Sequence, residues 1–179
     1  DLTHRPLVGV IGTRRATRYG FDLARDFAEQ LTAKGCCVVS GLASGIDAAA
    51  HRGAVDVRIR RSSLDSGVPL AVVGSGLDRP YPRSNARLWE EVAEHGLIAS
   101  EYPMGAAPVA WHFPARNRVL AALCDLVLVV ESHERGGALI TAGIAAERGV
   151  PVMAVPGAIH NSASSGSNRL IADGCAPCL

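Results

Sequence analysis

The chain has 179 residues, 48% of them hydrophobic and 20% charged, with a formal net charge of +1. This excludes a disordered chain and a strongly basic nucleic-acid tail, and the length suits one domain whose core needs no staple. The five cysteines are odd in number and irregularly spaced, which argues for reduced thiols in a cytoplasmic protein rather than a disulfide framework.

Apolar runs alternate with amphipathic stretches from end to end. Residues 7–11 predict a first buried strand, closed by Gly12. Residues 19–34 place Phe21, Ala24, Ala28 and Leu31 on one helical face, and Gly35 stops that helix. A second strand is expected over 36–39 and a helix over 45–55, opening in a glycine-rich turn. Strand 70–73, helix 83–95, strand 97–100 and helix 116–124 follow. The most hydrophobic strand is 126–130, then come helix 138–148, strand 151–155 and a last helix at 167–173. The stretch 56–68 interrupts the alternation and reads as a surface excursion, with 55–60 able to extend a helix or form an edge strand. No run is apolar enough to span a membrane, and no secretory leader is read at the start.

Short strands without polar alternation are buried on both faces, as a parallel sheet requires. Right-handed crossovers then give an extended Rossmann-like α/β fold, a doubly wound, mostly parallel sheet with helices on both faces. Ligands bind such sheets beyond the carboxyl ends of the strands. The unusual residues fall there: Thr13 and Arg14 after the first strand, Ser40, Gly41, Ser44 and Gly45 after the second, and Gly136 and Gly137 after the fifth. Glycine turns opening onto helices offer bare amides and the positive helix end to phosphate.

Other chemistries lack parts. Gly9-Val10-Ile11-Gly12 lacks dinucleotide spacing, no acid ends the second strand, and neither a P-loop nor a nucleophile elbow occurs. Asp47 and His51 stand one helical turn apart and could touch, but without a nucleophile they make no triad. Cys175 and Cys178 have the spacing of a metal pair without a second pair, so no metal, cofactor or catalytic residue is expected.

The stretch from Val39 through Ser40-Gly41-Leu42-Ala43-Ser44-Gly45 to Asp47, with Ala50-His51, resembles the central motif of the DprA/Smf family of DNA-processing proteins. The likeness runs on through Gly76-Leu77-Asp78, Tyr81-Pro82, Ser100-Glu101-Tyr102-Pro103 and Phe113-Pro114-Ala115-Arg116-Asn117-Arg118, then Leu139-Ile140-Thr141-Ala142 and Val155-Pro156-Gly157. The resemblance implies a single domain over 1–179, without the family's helical N-terminal and winged-helix C-terminal domains. It also implies a homodimer that binds single-stranded DNA during natural transformation and loads the recombinase RecA, with no catalytic activity. Arg14 matches the family's phosphate-gripping arginine, Arg83 is a second contact, and Arg116, Asn117 and Arg118 match a segment lining the groove or orienting its loops. Ala110 and His133 replace frequent lysines, and Gly136-Gly137-Ala138 replaces a Ser-Gly-Ser turn, so a less basic groove is expected. A more distant likeness, through Arg135-Gly136-Gly137 and Thr141, is to nucleoside-monophosphate phosphoribohydrolases of the LOG or lysine-decarboxylase-like type, whose acid is missing here.

Overall fold

The computed structural model describes residues 4–61 and 65–179. In chain order they form β1 (Leu7–Gly12), α1 (Arg18–Ala33), β2 (Cys37–Ser40), α2 (Ile46–Arg60) and β3 (Pro69–Val73). A 3-10 turn at Arg83–Asn85 leads into α3 (Ala86–His95), followed by β4 (Leu97–Ser100), α4 (His112–Leu123) and β5 (Leu126–Glu131). Then come α5 (Gly137–Glu147), β6 (Val152–Ala154), a 3-10 turn at Ser162–Ser164, α6 (Ser165–Ala172) and β7 (Ala176–Pro177). The strand order is β4-β3-β2-β1-β5-β6-β7, and every pairing is parallel.

Successive strand residues point to opposite faces. Ile11, Val39, Val127 and Val129 pack against Leu120 and Ala121 of α4 and Ala138, Ala142 and Ala145 of α5. Val8, Val10, Val38, Leu128 and Val130 pack on the other face against Ala24 and Ala28 of α1 and Ile46, Ala50 and Ala54 of α2. A third cluster joins α2 and α3 over β3 through Val55, Leu88, Trp89 and Val92. The fold is thus the doubly wound α/β sheet expected, with β1 and β5 flanking the point where the winding reverses.

Helix ends follow the local chemistry. Thr17 caps α1, its hydroxyl accepting from the Gly20 amide. Gly35 (φ 88°) and Gly149 (φ 75°) close α1 and α5 with the paired bonds of a Schellman motif, Cys36 N to Leu31 O and Val150 N to Ala145 O among them.

Three points refine the sequence reading, the first by deciding between its alternatives. The 55–60 stretch is helical, the end of α2, held to α1 by Arg25–Asp56 at 2.6 Å and Arg60–Glu29 at 2.8 Å. Residues 62–64 of the interruption lie outside the described residues. Helix α4 begins at His112 rather than Arg116, because Pro114 sits in its first turn, where a missing N–H costs nothing. The two-residue β7 is too short to leave a sequence pattern, but it pairs with β6.

Helices α1 and α2 meet at close range at Gly53, where an added Cβ would stand 2.3 Å from the Arg25 carbonyl oxygen. Gly53→Ala gains helix propensity but must push the helices apart, and overpacking of this kind costs about 1–3 kcal/mol. Calorimetry should show a lower Tm, by about 2–4 °C per kcal/mol lost. An unchanged or higher Tm would mean that α1 and α2 yield easily.

Candidate nucleic-acid interface

A cavity of about 460 Å³ opens at the winding reversal, beyond the ends of β1 and β5. Thr13 and Arg14 form one wall, the start of α5 with Gly136, Gly137 and Thr141 another, and α4 supplies Phe113 and Asn117. Tyr81 stands at the rim, and Asp47 and Arg116 lie at its inner end. A side pocket of about 70 Å³ adds Gly41 and Ser44.

The β1 end and the α2 start are pressed together. Gly45 takes φ 78°, and a Cβ there would lie 2.3 Å from the Thr13 carbonyl oxygen, so only glycine fits. That carbonyl accepts the Ile46 amide at 3.2 Å, while the Thr13 amide donates to the Glu131 carbonyl at 2.7 Å. Arg14, exposed, is thereby held at the cavity mouth with its guanidinium carbon 5.3 Å from the Phe113 ring centroid. Opposite it, no side chain caps α5, and nothing lies within 4 Å of where a Gly137 Cβ would point. The Gly137 and Ala138 amides are therefore available to an anion, while the Leu139 amide donates to the Gly136 carbonyl at 3.1 Å.

The inner end is charged but enclosed. Arg116 is 5% exposed; its Nη1 donates to the carbonyl oxygens of Gly41 and Val72, and its Nε donates to Asn117 Oδ1 at 3.2 Å. Asp47 Oδ2 accepts from the Gly41 amide at 3.1 Å. Burial raises the Asp47 pKa against the opposing pull of Arg116, and burial lowers that of Arg116 against the pull of Asp47. Desolvation thus outweighs the coulombic attraction on both sides, and the two groups make no ion-pair contact.

The predicted residues divide accordingly. Thr13, Arg14, Gly41, Ser44, Asn117, Gly136 and Gly137 line one or other cavity, and Gly45 shapes its wall. Ser40 does not contribute a hydroxyl: it is wholly buried and donates to the Val10 carbonyl at 2.7 Å. Arg116 is a buried strut rather than an exposed phosphate grip. Arg118 faces away and pairs with Glu101 at 2.6 Å. Arg83 is exposed in the 3-10 turn, outside the cavity lining. Ala110 stands at the cavity rim, while His133 turns to the Ser162 carbonyl at 2.9 Å.

Asp47 and His51 do not bond to one another: both ring nitrogens of His51 lack a hydrogen-bond partner of good geometry. Cys175 packs on one face of the sheet and Cys178 on the other, so they cannot share a metal, and no group of three metal-binding side chains occurs among the described residues. One residue went unread in the sequence. Glu131 ends the apolar β5 with a buried carboxylate that accepts the Thr17 amide at 2.8 Å and its hydroxyl at 2.7 Å, locking the N-terminus of α1 onto the sheet. An acid closing an otherwise apolar strand was the available signal.

The comparisons with known proteins agree with this fold. The family model for DNA recombination-mediator protein A matches residues 1–179. The chain belongs to that family. It is 37% identical over 167 residues to DNA processing protein DprA of Bacillus subtilis, covering 93% of this chain and 54% of the relative. The solved DprA of Streptococcus pneumoniae superposes with a TM-score of 0.89 at 39% identity, covering 99% of this chain and 60% of that one. DNA processing protein A of Helicobacter pylori, a structure described for its single-stranded-DNA binding mode, gives 0.85 at 31% identity over 96% of this chain and 74% of that one. The chain spans about half the length of the curated relatives it matches.

Two predictions concern the enclosed charges. Arg116→Ala leaves the buried Gly41 and Val72 carbonyls without their donor and removes the charge that offsets buried Asp47, and should cost about 3–5 kcal/mol in urea unfolding; a loss under about 1 kcal/mol would mean that the strut is dispensable. Burial lowers the His51 pKa from 6.5 to about 4, with the Ser40 backbone opposing and Arg116 assisting. The unfolded chain therefore binds this proton first. His51's contribution is intact above pH 6.5 and declines as the pH falls toward 4. The full effect is roughly 3 kcal/mol. Unfolding free energies from pH 7 to 5 should fall more steeply for the wild type than for His51→Leu; parallel curves would contradict this.

Proposed function

We propose that this domain binds single-stranded DNA across the strand-end cavity, within a cytoplasmic DNA-processing protein that receives DNA during natural transformation and helps load RecA onto it. In this reading the protein acts as a homodimer and by binding rather than catalysis. The observation that carries it is Arg14, fixed over Phe113 at the mouth of a cavity whose far wall is the uncapped start of α5. That pairing offers phosphate a cation and free amides, and offers a base an aromatic ring. Membership in the family and the likeness to a protein described for its single-stranded-DNA binding support the same reading. The nucleotide-hydrolase alternative has less behind it: the buried carboxylates of Asp47 and Glu131 are already bonded to Gly41 and Thr17.

The test is fluorescence anisotropy of a labelled single-stranded oligonucleotide, at two salt concentrations and with duplex competitor. Binding should favour the single strand and weaken as salt rises. Arg14→Ala should weaken all sequences alike and reduce the salt slope by about 1. Gly137→Asp, which has open space for its side chain, should weaken binding without lowering Tm, because it sets a negative charge at the anion end of α5. No binding at low salt, or loss confined to particular sequences, would count against this site.

A further inference from the structure

A second aromatic surface lies beside the cavity and is not explained by it. Tyr102, which follows β4, and Trp111, which precedes α4, meet across the buried ring of His112. His112 is anchored, its Nδ1 3.0 Å from the Gly74 carbonyl oxygen and its ring stacked on Tyr102 at 3.8 Å and 21°. Trp111 meets Tyr102 at 6.2 Å and 75°, and His112 at 4.2 Å and 84°. Neither neighbour stacks on the indole, and 64% of Trp111 stays exposed. The other tryptophan, Trp89, is 5% exposed in the core.

An exposed apolar side chain alone means little. Trp111 differs in making edge contacts with two neighbouring rings, one of them anchored, so presenting its face costs little ordering on binding. It is also continuous with the cavity. Phe113, two residues on, stacks with Tyr81 at 5.3 Å and carries the Arg14 guanidinium. His112, between them, is the pivot that directs one ring into the cavity rim and leaves the other outside it.

We propose that Trp111 is a further base-stacking station, which takes one nucleobase of a single strand as it leaves the cavity toward the β3–β4 end of the sheet. This rests on the single-strand reading above and extends it beyond the cavity. Every base has a π-face, so Trp111 contributes affinity without sequence preference. It touches no phosphate, so its contribution is independent of salt.

The two tryptophans make the test direct. Unlabelled oligonucleotide titrated into the whole protein should quench the emission of Trp111, while Trp111→Phe, which keeps only buried Trp89, should show almost no quenching. In anisotropy, Trp111→Ala should weaken binding about 5- to 100-fold with the salt slope unchanged, and Trp111→Phe should restore most of the loss. Shortening the oligonucleotide until it fills only the cavity should erase the difference between wild type and Trp111→Ala. Binding without quenching, or a Trp111→Ala defect that phenylalanine does not rescue, overturns the station and leaves the cavity reading in place. Failure of the wild type to bind any single strand overturns both.

Discussion

Arg116 is the tie on which the rest of the site depends. From α4 its guanidinium donates to carbonyls of the β2–α2 loop and of β3, and it faces the carboxylate of Asp47 on α2. One side chain thus joins three elements that the sheet alone would leave as separate strand ends. The burial penalty borne by both ions is tolerated because those carbonyls and the Gly41 amide take up their hydrogen-bonding capacity. Those contacts hold together the walls that carry Ser44 and Asn117.

A similar economy governs the other side of the cavity. Glu131 fastens the start of α1, Thr13 is clamped between the Glu131 carbonyl and the Ile46 amide, and Arg14 follows directly. The cation at the mouth is therefore positioned by backbone contacts of its neighbours rather than by an ion pair of its own. With Ala110 at the rim and His133 turned to Ser162, exposed positive charge at the cavity is sparse. In the proposed single-strand reading, the two free amides of α5 and the aromatic rings therefore act beside Arg14.

The segment Arg116-Asn117-Arg118 shows how neighbours in sequence take different work. On a helix, consecutive residues point about 100° apart. Arg116 goes into the core, Asn117 toward the cavity, and Arg118 outward to Glu101. Their matching family positions left open which of them lines the groove and which orients its loops, because similarity of motif records residue identity and not direction.

The pattern of apolar runs and glycine stops was enough to read a doubly wound parallel sheet, to point to the strand ends where the cavity lies, and to nominate Arg14, Gly45 and the Gly136-Gly137 turn. These are local properties: periodicity reports burial, and a positive φ demands glycine. Hidden from the sequence were the withdrawal of Ser40 and Arg116 into the core, the role of Glu131, the opposite faces taken by Cys175 and Cys178, and the meeting of Trp111, Tyr102 and His112. Each depends on which distant backbone group or ring a side chain reaches. Such partners are chosen by packing between elements far apart in the chain, and hydrophobic periodicity carries no record of that choice.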